Sequence, residues 1–228
     1  MEIPVEAESR EEPTPFFTYI LLGLMALIQL ALTFSNEATI LEFYETYSLI
    51  PVRFFDGVAL ESVFTYAFLH GNWMHLFVNG IALYGAGAIV ERDIGHLRFL
   101  MVFVLSGAVA GLFHSYLNPA SSIPLVGASG AIFGIIAVLF LLMPFKMTFA
   151  LIVPLPSIVV GLMLSLFELS SFWMAADPGI AHDAHLSGFV FGCVCAFAID
   201  QRRAMKGLII ALAVLVLIYL LGVYLGLT

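Results

Sequence analysis

The sequence predicts an all-α polytopic membrane protein, with a core of six transmembrane helices followed by a seventh. Composition is the first ground: of 228 residues, 62% are hydrophobic and 11% charged, with mean hydropathy +1.07. Soluble domains run at about 45–50% apolar and about 25% charged. The second ground is that apolar runs of about 20 residues recur, each enough to cross about 30 Å of hydrocarbon. The third is the lack of the ten-residue alternating pattern that an outer-membrane barrel needs.

In chain order, residues 1–15 read as a solvated, acidic, Pro-containing tail holding Glu2, Glu6, Glu8, Glu11 and Glu12. Span 1 covers 16–34. An acidic rather than basic flank precedes it and no small-residue cleavage site closes it, so it is expected as a retained span and not a signal peptide. Residues 35–72 are too polar for a span and too aromatic for a free linker. Phe43, Tyr44, Tyr47, Phe54, Phe55, Phe64, Tyr66 and Phe68 lie among Glu42, Glu45, Arg53, Asp56 and Glu61. Such aromatics favour the headgroup level, which predicts a structured loop of short helices lying half in the interface. Span 2 covers 73–90, and Glu91-Arg92-Asp93-Ile94-Gly95 reads as a tight turn. Span 3 covers 97–117, with Gly107 and Gly111 as a small-residue packing face. Asn118-Pro119-Ala120-Ser121-Ser122 is a loop. Span 4 covers 128–143 and stops at Pro144; span 5 covers 147–172; Asp177-Pro178-Gly179 is a turn. Span 6 covers 183–200, Gln201-Arg202-Arg203 is a polar link, and span 7 covers 207–226. The domains are therefore a tail (1–15), a six-span core (16–200) and a linker with a seventh helix (201–228).

Charge adds orientation. The net charge of −8 includes no basic patch, so no nucleic-acid partner is expected. Arg10, Arg92, Arg98, Lys146, Arg202, Arg203 and Lys206, seven of the eight basic residues, fall on the N-terminal side of the membrane. The basic side is cytoplasmic, which puts the N-terminus inside, and the C-terminus and the aromatic loop outside. Cys193 and Cys195 point about 200° apart on a helix and are read as buried small apolar residues, with no disulfide framework and no metal cluster.

That orientation brings four polar side chains to one depth in the outer half. His75 and Asn79 lie near the outer end of span 2, Ser129 begins span 4 and His185 begins span 6. From Ser129 to Pro144 is roughly 22 Å of helix, less than the hydrocarbon thickness, so Ser129 is expected below the outer surface. The irregular residues 118–127 must then descend beside it, which is tolerated only in a wet cavity or inside protein.

A serine becomes a nucleophile when a base takes its proton, and histidine has the pKa for that. No obvious acid orients His185, since Asp183 points to another face. The expectation is a Ser129–His185 dyad without a third carboxylate, its imidazole held by Phe133, one turn after the serine. His75 and Asn79, four apart, face the same way and, with the Ser129 backbone N–H, form a candidate oxyanion hole. Ala184, Gly188 and Gly192 on span 6 face Gly130 and Gly134 on span 4, a smooth contact that brings 129 and 185 together. His182, one turn away, is the competing base. His70, His96, His114 and His182 are otherwise read as solvated or loop-packing residues at span ends.

These residues resemble the rhomboid intramembrane serine proteases. His75-Leu76-Phe77-Val78-Asn79 resembles that family's H-x-x-x-N, Gly127-Ala128-Ser129-Gly130 its G-x-S-G, and Ala184-His185 through Gly188 and Gly192 its A-H-x-x-G-x-x-x-G. Glu91-Arg92 resembles its acidic-basic pair. The resemblance covers about 61–200 and implies a rhomboid-like six-helix core of the six-plus-one type. It implies Ser129 as nucleophile, His185 as base, an oxyanion hole from His75, Asn79 and the Ser129 backbone, and Gly127 shaping the adjoining loop. Cleavage of single-span membrane proteins near their outer ends, within the lipid bilayer, is the activity implied, with 173–183 as a cap and span 5 as a side gate. A prokaryotic plasma-membrane location and no cofactor or metal are expected. Phe133 stands where many members carry Tyr, and Glu61-Ser62 where many carry Trp-Arg. Two rival readings are a catalytically silent binder of membrane proteins with this fold, and a channel or transporter with a polar path through His75, Asn79 and His185.

Overall fold

The computed structural model describes residues 13–150, 153–174 and 179–226. Most of the acidic tail, Asp177 and Pro178 lie outside the described residues. Among the described residues, six helices are long and apolar enough to cross a membrane: Phe16–Thr33, Trp73–Ile94, His96–Leu117, Ser157–Met174, His182–Ile199 and Gln201–Tyr224. With the shorter apolar helix Ser129–Leu142, they make an all-α polytopic membrane fold.

Helix α1 (Phe16–Thr33) is followed by the aromatic loop, which folds as short helices. Asn36 caps α2 (Glu37–Tyr47), its side chain accepting the Thr39 N–H at 2.9 Å. Pro51 sits at the start of α3 (Pro51–Phe55), where its missing N–H costs nothing. Helix α4 (Ser62–Thr65) runs into a 3₁₀ turn, Tyr66–Phe68. Side chains tie this loop to itself and to the core: Thr65 Oγ1 donates to the Tyr47 carbonyl at 2.7 Å, Tyr44 OH to the His70 carbonyl at 2.6 Å, and Tyr66 OH to the Gly107 carbonyl at 2.7 Å. Phe55 and Phe64 of this loop remain exposed.

The Asn72 side chain accepts the His75 N–H at 2.8 Å and starts α5 (Trp73–Ala82). A π turn, Leu83–Gly87, carries it into α6 (Ala88–Ile94). The expected turn at 91–95 is thus corrected: the helix continues through Glu91-Arg92-Asp93 and breaks at Gly95, whose φ of +85° favours glycine. Glu91 is fully buried there and ties α6 to the start of α1. Its carboxylate accepts the N–H groups of Phe17 and Thr18 at 2.8 Å each and the Thr18 hydroxyl at 2.7 Å, with His96 Nδ1 at 2.6 Å. An anion on the free N–H groups of a helix start is favourable.

After α7 (His96–Leu117) and α8 (Ser129–Leu142), a second correction appears. Residues 147–156 do not open span 5. Met147–Ala150 (β1) and Val153–Pro156 (β2) instead pair as antiparallel strands, with Met147 opposite Pro156 and Ala150 opposite Val153. Pro154 and Pro156 lack the N–H a helix interior needs, so α9 starts at Ser157 and runs to Met174. The strand pair lies against Gly85 of the π turn. Helix α10 (His182–Ile199) ends at Asp200, whose extended backbone and side chain, accepting the Arg203 N–H at 3.0 Å, start α11 (Gln201–Tyr224). The expected link 201–203 is therefore the first turn of α11, and Arg203 also pairs with Asp93 at 2.9 Å. Cys193 and Cys195 are free and half-buried, not fully buried.

Helix α8 is the centre of the bundle: every residue from Gly130 to Leu142 is buried. Its neighbours approach through glycine. A Cβ at Gly188 would collide with the Gly130 carbonyl, one at Gly192 with the Gly134 carbonyl, and one at Gly207 of α11 with the Leu141 carbonyl. Gly134 accepts Ser106 of α7 in the same way, and Gly161 of α9 accepts the Phe140 ring. In lipid, where apolar burial alone does not drive association, such close backbone contact supplies the dispersion energy that holds helices together.

Candidate active site

The irregular segment before α8 is held by backbone bonds. Leu49 and Leu125 exchange N–H···O contacts at 3.2 and 2.9 Å, and the Gly127 N–H donates to the Tyr66 carbonyl at 3.1 Å. Gly127 has φ +116°, a conformation open to glycine but strained for other residues. Two residues later the chain enters α8 at Ser129, where the first N–H groups have no partner within the helix.

His185, one turn into α10, points its Nε2 at the Ser129 hydroxyl, 2.7 Å away. Its ring stacks on Phe133 with centroids 4.6 Å apart and planes 13° from parallel. The Gly130–Gly188 and Gly134–Gly192 contacts directly below set the separation of α8 and α10 at which this bond forms. His75 and Asn79, on one face of α5, lie around Gly127: a Cβ there would stand 2.7 Å from His75 Cε1 and Nε2 and 3.9 Å from Asn79 Nδ2. Asn79 is buried, and its Nδ2 donates to the His75 carbonyl at 3.0 Å, keeping a second hydrogen. Ser129, His185 and Phe133 are thus in direct contact, with His75 and Asn79 beside the loop that delivers the serine.

His114, His96 and His70 lie near span ends and take packing roles there. His114 and Asn118 hold Asp183, with Nδ1–Oδ1 and Nδ2–Oδ2 distances of 2.9 and 3.0 Å. Asp183 is therefore turned away from His185, as its spacing implies. His96 serves Glu91. His70, just before α5, is not solvated: it is 1% exposed, and burial, with His75 beside it, lowers it to about 4, the Phe68 carbonyl offsetting part of the drop.

A buried carboxylate that the sequence reading did not single out lies beside the dyad. Glu168 of α9, 5% exposed, lies between two histidines. Its Oε2 is 2.5 Å from His182 Nδ1, and its Oε1 is 3.0 Å from His185 Nδ1. The second contact is close but off the N–H axis, so His185 Nδ1 has no in-line acceptor. His182 is buried in this cluster rather than solvated, and the serine hydrogen bond goes to His185. Glu168 lies 17 residues before His185, so no local spacing could connect them; the signal available was a lone carboxylate in the middle of an apolar span, which is expensive and seldom idle. The three side chains offer ligand atoms within 4.8 Å of one another, the one such set among the described residues. Their 2.5 and 3.0 Å separations are hydrogen-bond lengths, shorter than the roughly 3.3 Å between ligands of a tetrahedral zinc ion.

Comparison with known proteins places this arrangement in context. A family model described as the Rhomboid domain matches residues 59–202. Rhomboid protease GluP of Bacillus subtilis (strain 168) is 27% identical over 200 residues, 87% of this chain and 38% of that protein. Rhomboid-like protein 11, chloroplastic, of Arabidopsis thaliana is 30% identical over 158 residues, 69% of this chain and 51% of the relative. Rhomboid-like protease 5 of Toxoplasma gondii is 30% identical over 132 residues, 58% of this chain and 15% of the relative. The chain thus spans no more than about half the length of these relatives.

Proposed function

The chain belongs to the rhomboid family, and from that membership we propose that it is an intramembrane serine endopeptidase acting through Ser129 and His185. The observation that carries the proposal is the 2.7 Å contact between His185 Nε2 and Ser129 Oγ, with the imidazole stacked on Phe133. In the reaction, Nε2 takes the hydroxyl proton as Ser129 Oγ attacks a peptide carbonyl. The oxyanion of the tetrahedral intermediate is received by the Ser129 N–H and by His75 and Asn79. His185 then returns the proton to the leaving amine, and water, activated by the same nitrogen, releases the acyl group.

The substrates are single-span membrane proteins cut near their outer ends, inside the bilayer. The N-terminus is cytoplasmic and the C-terminus outside, in a prokaryotic plasma membrane. The depth of Ser129 supports that site of cleavage: α8 has 14 residues, about 21 Å at 1.5 Å each, so its start lies below one surface.

The test is covalent labelling of detergent-solubilised protein with a fluorophosphonate, wild type beside Ser129→Ala and His185→Ala. Labelling of the wild type that both substitutions reduce to background is expected. A folded wild type that stays unlabelled overturns the reading and favours a silent binder or a polar channel.

A further inference from the structure

The strongest feature outside the Ser129–His185 pair is the buried carboxylate on α9. We propose that Glu168 is a positioning residue for His185: it fixes the imidazole with its proton on Nδ1 and faces the positive charge that forms there. This rests on the serine-protease reading and deepens it.

For Nε2 to accept the serine proton, Nδ1 must already carry one. The Nε2–Oγ distance of 2.7 Å leaves the tautomer open. An anion beside Nδ1 favours the form with the proton there, and Glu168 Oε1 stands 3.0 Å away. Its off-axis approach in the free enzyme fits catalytic contacts, which commonly straighten when substrate binds. Glu168 is itself fixed. Oε2 is held by His182 at 2.5 Å, and both residues are about 95% buried, at 5% and 6% exposure. Burying a carboxylate is costly unless it is hydrogen-bonded, and a partner that served only to clip α9 to α10 would need one histidine. This one reaches two, and the second is the base. During acylation the Ser129 proton moves to Nε2, Nδ1 keeps its own, and the imidazolium forms beside the carboxylate, which remains ionised. Phe133 controls the plane of the ring; Glu168 controls its rotation within that plane and its tautomer.

Two measurements test this on the full chain in detergent with chelator present. The first is the ¹⁵N NMR signature of His185 in the wild type, assigned by its loss in His185→Gln. Nδ1 protonated and Nε2 bare is expected; a proton on Nε2 overturns the proposal without any variant that must fold. The second is fluorophosphonate kinetics. Glu168→Gln is expected to lower the inactivation rate constant about tenfold or more with little change in probe affinity, and Glu168→Asp to recover part of it. His182→Phe also breaks the α9–α10 clip but leaves the carboxylate beside His185. It is expected to lower the melting temperature at least as much as Glu168→Gln while slowing inactivation less. Equal losses of rate in the two, or a wild-type rate in Glu168→Gln, would show a structural clip and overturn the proposal. An unlabelled wild type defeats the protease reading instead, and the NMR result then still decides the tautomer.

Discussion

At Gly127 the backbone turns with φ +116°, and any Cβ would stand 2.7 Å from the His75 ring. The residue meets two demands at once: a left-handed conformation, and room for His75 to lie beside the loop. Gly127→Ala therefore imposes backbone strain of about 1–3 kcal/mol and pushes His75 off its place. The expected outcome is a folded protein whose fluorophosphonate labelling slows about tenfold or more; labelling at the wild-type rate would detach Gly127 and His75 from the chemistry. At this scale the sequence was partly legible. Ser129, His185, His75 and Asn79 stand out because polar groups are rare in apolar spans and these recur at one depth, and Phe133 because it lies one turn after the serine. Glu168 does not stand out in the sequence, and His182 reads only as a competing base, because their partnership depends on how α9 leans on α10, which no local spacing encodes.

Helices α8 and α10 meet through paired glycines, and the serine–histidine bond sits one turn above the contact. Gly188→Val would drive a branched side chain into the Gly130 carbonyl and part the two helices. Overpacking of this kind costs about 1–3 kcal/mol, so a lower melting temperature and lost labelling are expected together. Gly80→Ala, whose new methyl would meet only Leu22 at 3.7 Å, should leave both unchanged. If Gly188→Val melts and labels like the wild type, the glycine contact does not set the site. Most span ends were legible to within about four residues, because apolar length and the breaks at Gly95, Pro144 and Asp200 are local properties, but span 7, expected from 207, starts at Gln201 and span 5, expected from 147, at Ser157. The strand pair of 147–150 and 153–156 was not read: its residues are apolar enough to pass for a span, and only Pro154 and Pro156 argue against one.

Over the whole molecule, buried titratable groups link the fold to pH. His70 is lowered to about 4 from an ordinary value near 6.5, so the folded protein keeps it neutral while the unfolded chain protonates it. Its contribution is therefore fully present above pH 6.5 and is lost as pH falls through 4, up to roughly 3 kcal/mol. His70→Leu leaves the backbone carbonyl that receives Tyr44 in place. It should flatten the acid loss of melting temperature between pH 6.5 and 4; an unchanged slope would assign that loss to other groups. The same global view gives the central helix a different meaning. A transmembrane helix ordinarily matches its length to the lipid around it, tilting or stretching when membrane thickness changes. Helix α8, buried from Gly130 to Leu142 and touched by α7, α9, α10 and α11, has no lipid to match. Its neighbours set its length and height, so a thinner or thicker bilayer reaches the nucleophile only by first moving the wall of protein around it.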